Sequence, residues 1–147
     1  MSTSVISHRT PVQLAAAAVG AVFLVVGILG FIPGITSDVG SLSFAGHGSH
    51  AMLLGLFQVS VLHNIVHVLF GVAGLALARS MGSAKGYLVW GGAIYLVLFV
   101  YGLIFNGDMA GNFVPVNAAD NVLHLVLGIG MLAVGLVLGR QTVARTR

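Results

Sequence analysis

The stretch LHNIVHVLFG (62–71) sets two histidines and an asparagine in an apolar run, and ADNVLHLVLG (119–128) sets an aspartate, an asparagine and a histidine in another. Aligned with each other, His63 meets Asp120, Asn64 meets Asn121, His67 meets His124 and Gly71 meets Gly128. Residues four apart share a helix face. His63, His67 and Gly71 therefore form one stripe, and Asp120, His124 and Gly128 another. What such a stripe faces depends on the kind of chain that carries it.

The chain is 58% hydrophobic and 6% charged, with a mean hydropathy of +1.07. A soluble domain needs about 25% charged residues, so this composition is that of a membrane protein. Apolar runs lie at 12–32, 61–78, 86–106 and 118–139, each near the ~20 residues that cross ~30 Å of hydrocarbon. The expected fold is all-α: a four-helix transmembrane bundle in a single domain over 1–147, with residues 33–60 as a long external loop. Small residues below the polar ones let helices approach closely, which turns both stripes inward.

The basic residues set the orientation. Arg9 precedes the first run, Arg79 and Lys85 lie between the second and third, and Arg140, Arg145 and Arg147 follow the fourth. Asp38, Asp108 and Asp120 fall on the other side. By the positive-inside pattern the topology is in-out-in-out-in, with both termini cytoplasmic. The net charge of +3 then serves anionic lipid, and no nucleic-acid site is expected. The first run is longer than a signal-peptide core and reads as an uncleaved span. With no cysteine, disulfides and thiolate metal sites are excluded.

Local signals agree. Thr10-Pro11 opens the first helix, Pro33-Gly34 stops it, and Asn106-Gly107-Asp108 ends the third. Ser60 and Asn117 are candidate N-caps that start the second and fourth helices in register. The short link RSMGSAKG (79–86) makes spans 2 and 3 antiparallel neighbours. AMLLGLFQV (51–59) is too short to span. It reads as an interfacial helix, a re-entrant lid or extra turns on span 2. The two polar stripes suggest a parallel internal repeat of two helical hairpins about an axis along the membrane normal.

Several roles remain open for the polar residues. In a structural role, Asn64 pairs with His124 and Asn121 with His67 across that axis. In a metal site, His63, His67, Asp120 and His124 offer three nitrogens and an oxygen to zinc, copper or iron, with His47 and His50 as possible extensions. In a haem site, His67 and His124 at equal depth ligate a b-type haem. A transport path is the fourth class, but the polarity occupies only the outer third of the spans, so a path needs an oligomer. No catalytic residue is assigned, since the chain has no Glu and no zinc-hydrolase motif. Tyr87 and Trp90 suit the cytoplasmic interface, while Tyr95 and Tyr101 either bond to the polar cluster or pack.

LLGLFQVSVLHNIVHVLFGVAGL (53–75) together with NAADNVLHLVLGIGML (117–132) resembles an uncharacterised, mainly actinobacterial family of small four-span membrane proteins, a domain of unknown function. The matching residues are His63, Asn64, His67 and Gly71, then Asn121, His124 and Gly128, and the resemblance covers about 12–139. It implies a bacterial plasma-membrane protein with the bilayer as its surroundings, and it supplies no activity. A homo-oligomer or a larger membrane complex is the expected form of any partnership.

Overall fold

The computed structural model of the protein describes residues 9–105 and 109–144, apart from the side chains of 141–144. The turn expected at Asn106-Gly107-Asp108 lies outside the described residues, as do His8, Arg145 and Arg147. The chain is mostly helical, with helices α1 (Pro11–Leu29), α2 (Val61–Leu77), α3 (Met81–Ile104) and α4 (Ala118–Ala144). By length and apolarity α1, α3 and residues Ala118–Arg140 of α4 can each cross a membrane; α2 is equally apolar but has 17 residues. At ~1.5 Å per residue α2 rises roughly 25 Å, at the lower limit for a span.

The helix starts follow the capping residues. Pro11 occupies the first turn of α1, and the Gln13 side chain accepts from the Thr10 N–H at 3.0 Å. The same side chain donates to the carbonyls of Ala78 and Arg79, at 3.1 and 2.9 Å, satisfying the C-terminal end of α2. Ser60 caps α2 as expected, accepting from the His63 N–H at 3.1 Å. Ser80 caps α3, which brings Met81 through Lys85 into the helix and shortens the expected link to Ala78, Arg79 and Ser80.

Packing joins α1 to α2 and α3 to α4 far more extensively than α2 to α3. The short link therefore does not make α2 and α3 principal partners. Glycine decides this. A Cβ on Gly20 would sit 2.8 Å from Leu75 N and 2.9 Å from Gly71 O; one on Gly92 would sit 2.7 Å from Leu132 N and 2.8 Å from Gly128 O. Only a hydrogen in place of a methyl lets the paired backbones come this close. Both pairs are antiparallel, because Gly30 further along α1 meets Asn64, and Gly102 further along α3 meets Asn121.

The connection between α1 and α2 is the part the sequence reading missed. AMLLGLFQV is neither an interfacial helix nor an extension of α2. It forms strands β2 (Met52–Leu53) and β3 (Phe57–Gln58), and β1 (Thr36–Ser37) pairs with β2, giving a three-stranded antiparallel sheet in the order β1-β2-β3. The β2–β3 turn needs positive φ at two successive residues, and Leu54 (φ 54°) and Gly55 (φ 68°) adopt it. Leu56 N–H closes the turn on the Leu53 carbonyl at 3.1 Å. Ala51, Leu53 and Val59 are buried under this cap against Val26 and Leu29 of α1. The all-α expectation thus holds for the helices, and the cap adds a small sheet.

Outside, the helices are apolar. Leu14, Val22, Val97, Val126 and Ile129 are more than half exposed, and Trp90 is 72% exposed. Arg9 and Arg79 flank helix ends opposite the cap, and Lys85 and Arg140 lie within α3 and α4 near the same end. An apolar girdle of this extent is stable in a bilayer and would be costly in water.

Candidate functional site: a histidine-lined cavity between the hairpins

The cap on Ser60 fixes the phase of α2, and His63 and His67 follow on one face. Their rings stack with centroids 4.4 Å apart and planes 11° apart. The His67 Nδ1 lies 3.0 Å from the His63 carbonyl, which can only accept, so Nδ1 carries the proton and Nε2 is left as an acceptor. The Tyr95 hydroxyl stands 3.5 Å from that Nε2, a long contact at the outer limit of hydrogen bonding. Phe23 closes the group, its ring 5.4 Å from His67 and 5.3 Å from Tyr95.

The start of α4 is built differently. Asn117 Oδ1 accepts from the Asp120 N–H at 2.9 Å, and Asp120 Oδ2 accepts from the Asn117 N–H at 3.1 Å. This is a capping box with a carboxylate as its returning arm. The same Oδ2 accepts from the Gln58 N–H of β3 at 3.0 Å, and Asn117 Nδ2 donates to the Leu56 carbonyl at 2.8 Å. One turn along α4, His124 meets Tyr95 edge-on at 5.4 Å.

His63, His67, Tyr95, Asp120 and His124 line one cavity of about 90 Å³, covered by Leu53, Phe57 and Val59 of the cap. His47 and His50 are not among its lining residues. Among the described residues, no three His or Asp side chains converge as a metal ion requires. Asp120 is engaged by two backbone N–H groups, and the two α2 imidazoles lie face to face. A porphyrin does not fit the cavity. Pockets for drug-sized ligands run to ~300–1,000 Å³, and Tyr95 touches both histidines that would flank the ring. The Nδ1 atoms of His63 and His124 are buried without a hydrogen-bond partner.

The asparagines have a different role from the one their positions suggested. Asn64 packs its amide on Gly30 and Asn121 packs its amide on Gly102, each within its own helix pair. Asn64 Nδ2 and Asn121 Oδ1 are buried and unpartnered, so neither atom supplies the expected bond to a histidine of the opposite pair. Phe23 and Tyr95 were not singled out together by the sequence reading. Their one signal was spacing: Gly20, Phe23 and Gly30 recur as Gly92, Tyr95 and Gly102 at a constant offset.

A helical chain with an apolar exterior, a small polar cavity within, a sheet over one end and three helices long and apolar enough to cross a membrane has the make-up of a membrane protein. Residues 13–137 match the model of the family described as Domain of unknown function (DUF4383), and the chain belongs to that family. Comparisons with curated proteins and with solved structures each returned no match.

Proposed function

We propose that the protein is an accessory or structural component of the bacterial plasma membrane, crossing it four times in-out-in-out-in with both termini cytoplasmic. The cap then faces outward, and His63, His67, Asp120 and His124 form a polar cluster in the outer leaflet that holds two helical hairpins in register, while Asn64 and Asn121 each fasten the two helices of their own hairpin. The observation that carries this reading is the cavity, where residues of both polar stripes come together. Correspondence between the halves supports an internal repeat: Gly20 against Gly71 and Leu75 is matched by Gly92 against Gly128 and Leu132. Gly30 on Asn64 is matched by Gly102 on Asn121. On this reading the cavity lies on the pseudo-twofold axis, where Phe23 meets its counterpart Tyr95.

Replacing Asn64 or Asn121 with Ala empties the space above Gly30 or Gly102 and should cost about 1–2 kcal/mol each. Thermal unfolding in detergent measures it, and unchanged melting in both variants would refute the structural role. Reporter fusions at each terminus test the orientation, with cytoplasmic signal expected from both.

A second reading is metal handling or redox chemistry at His63, His67, Asp120 and His124. Its support is the His67 Nδ1 bond to the His63 carbonyl, since metal-ligating histidines commonly bind through one nitrogen while the other is held by a backbone carbonyl. Elemental analysis of purified protein decides it: stoichiometric zinc, copper or iron, lost in the His67→Ala/His124→Ala double variant, would favour this reading over the first.

A further inference from the structure

The cap is bound to the two helix pairs in unequal ways. To the first it is fixed by the chain itself and by Thr36 Oγ1 donating to the Leu29 carbonyl, Val61 N–H to the Ser43 carbonyl, and Leu62 N–H to the Phe44 carbonyl. Its buried residues Ala51, Leu53 and Val59 pack with Val26 and Leu29 of α1. Toward the second pair, the Gln58 N–H binds the Asp120 carboxylate and the Leu56 carbonyl binds Asn117, both at the first turn of α4; further out, the Gly46 N–H binds the Phe113 carbonyl. The first two contacts stand at the rim of the cavity, which Asp120 itself lines.

From this asymmetry we infer that residues 30–60 form a lid over the histidine cavity, carried by the first helix pair and fastened to the second by the Asp120 carboxylate. When the Gln58–Asp120 and Leu56–Asn117 bonds part, and the Gly46–Phe113 bond with them, Leu53, Phe57 and Val59 move off with the lid. His63, His67 and His124 then become accessible to a small polar solute from the capped side. Asp120 is a positioning residue here: it holds β3 in place and makes no contact with the solute in the closed form. Toward the second pair the lid is held by the two polar bonds at the cavity rim, by the Gly46–Phe113 bond further out, and by apolar contacts of Leu53, Phe57 and Val59, all of which water or lid motion can replace. Elements held in this way open well below the free energy of global unfolding.

The inference rests on the outward orientation proposed above, and the test separates the two. The chain has no cysteine, so single reporters are clean. Leu127→Cys places a thiol in the cavity wall, and Leu54→Cys places one on the cap, where the native side chain is 67% exposed. Intact cells are treated with a membrane-impermeant, positively charged methanethiosulfonate. The Leu54→Cys thiol should label readily from outside; failure to label overturns the orientation. The Leu127→Cys thiol should label slowly, and adding Asp120→Ala should accelerate it by about tenfold, as expected for losing the hydrogen bond from Gln58, with Leu54→Cys unchanged. An unchanged Leu127→Cys rate in folded Asp120→Ala protein overturns the lid, as does fast labelling with Asp120 intact. Should Asp120→Ala fail to fold, hydrogen exchange in the unmodified protein decides. The amides of Leu53, Phe57 and Gln58 should exchange together and faster than those of Leu88 and Tyr95, and exchange at the same rate as these helical amides overturns the lid.

Discussion

At the scale of single residues, the structure turns on where a side chain is absent as much as on where one is present. Gly92 lies so close to the α4 backbone that Gly92→Val must push the two helices apart, and overpacking of this kind costs about 1–3 kcal/mol. Gly130 of α4 has nothing near the position of a Cβ, so Gly130→Ala should leave the melting temperature unchanged or slightly raised. Unfolding both variants in one detergent measures the contrast, and equal loss in the two would contradict the close approach. Much of the cavity was legible at this scale. His63, His67, Asp120 and His124 stand out because polarity in an apolar helix is conspicuous. Phe23 and Tyr95 carry no such contrast, and the Gln58 contribution is a backbone N–H that side-chain chemistry cannot announce.

At the scale of elements, the helices were readable because hydropathy and capping point the same way. Ser60 and Asn117 start α2 and α4 where their side chains allow. The sheet was not readable, since its strands have two residues each and its turn places a leucine at positive φ. Leu54 pays for that conformation, and Leu54→Asn should stabilise the cap by about 0.5–1 kcal/mol, because asparagine visits this region at less cost. Slower hydrogen exchange across β2 and β3 is the expected sign, and faster exchange would show that the leucine side chain matters more than its backbone. Asn117 serves twice, as N-cap and as donor to the Leu56 carbonyl, so Asn117→Ala should cost more than the usual ~1 kcal/mol for a lost cap. Thermal melting checks this against Ser60→Ala, whose side chain supplies the cap bond to the His63 N–H.

At the scale of the whole molecule, the inside and outside are both apolar, and the polar groups that matter are held between. Trp90 is the only tryptophan and stands on the outer surface of α3. In reconstituted vesicles its emission should be blue-shifted and strongly quenched by lipids brominated on their acyl chains, with little effect from acrylamide in the aqueous phase. Efficient quenching by acrylamide alone would place this face in water and contradict the membrane reading.

The three-residue link at Ala78, Arg79 and Ser80 has a mechanical consequence. It joins the two helix pairs at the end away from the cap and keeps the C-terminal end of α2 within a three-residue reach of the start of α3. A tilt of one pair against the other about this link would use the helices as lever arms. At ~1.5 Å per residue His67 stands roughly 15 Å from the end of α2, so a tilt of about ten degrees shifts it by roughly 3 Å, about the width of a water molecule. A small angular change at the charged end would therefore be felt at the cavity as a displacement of molecular size.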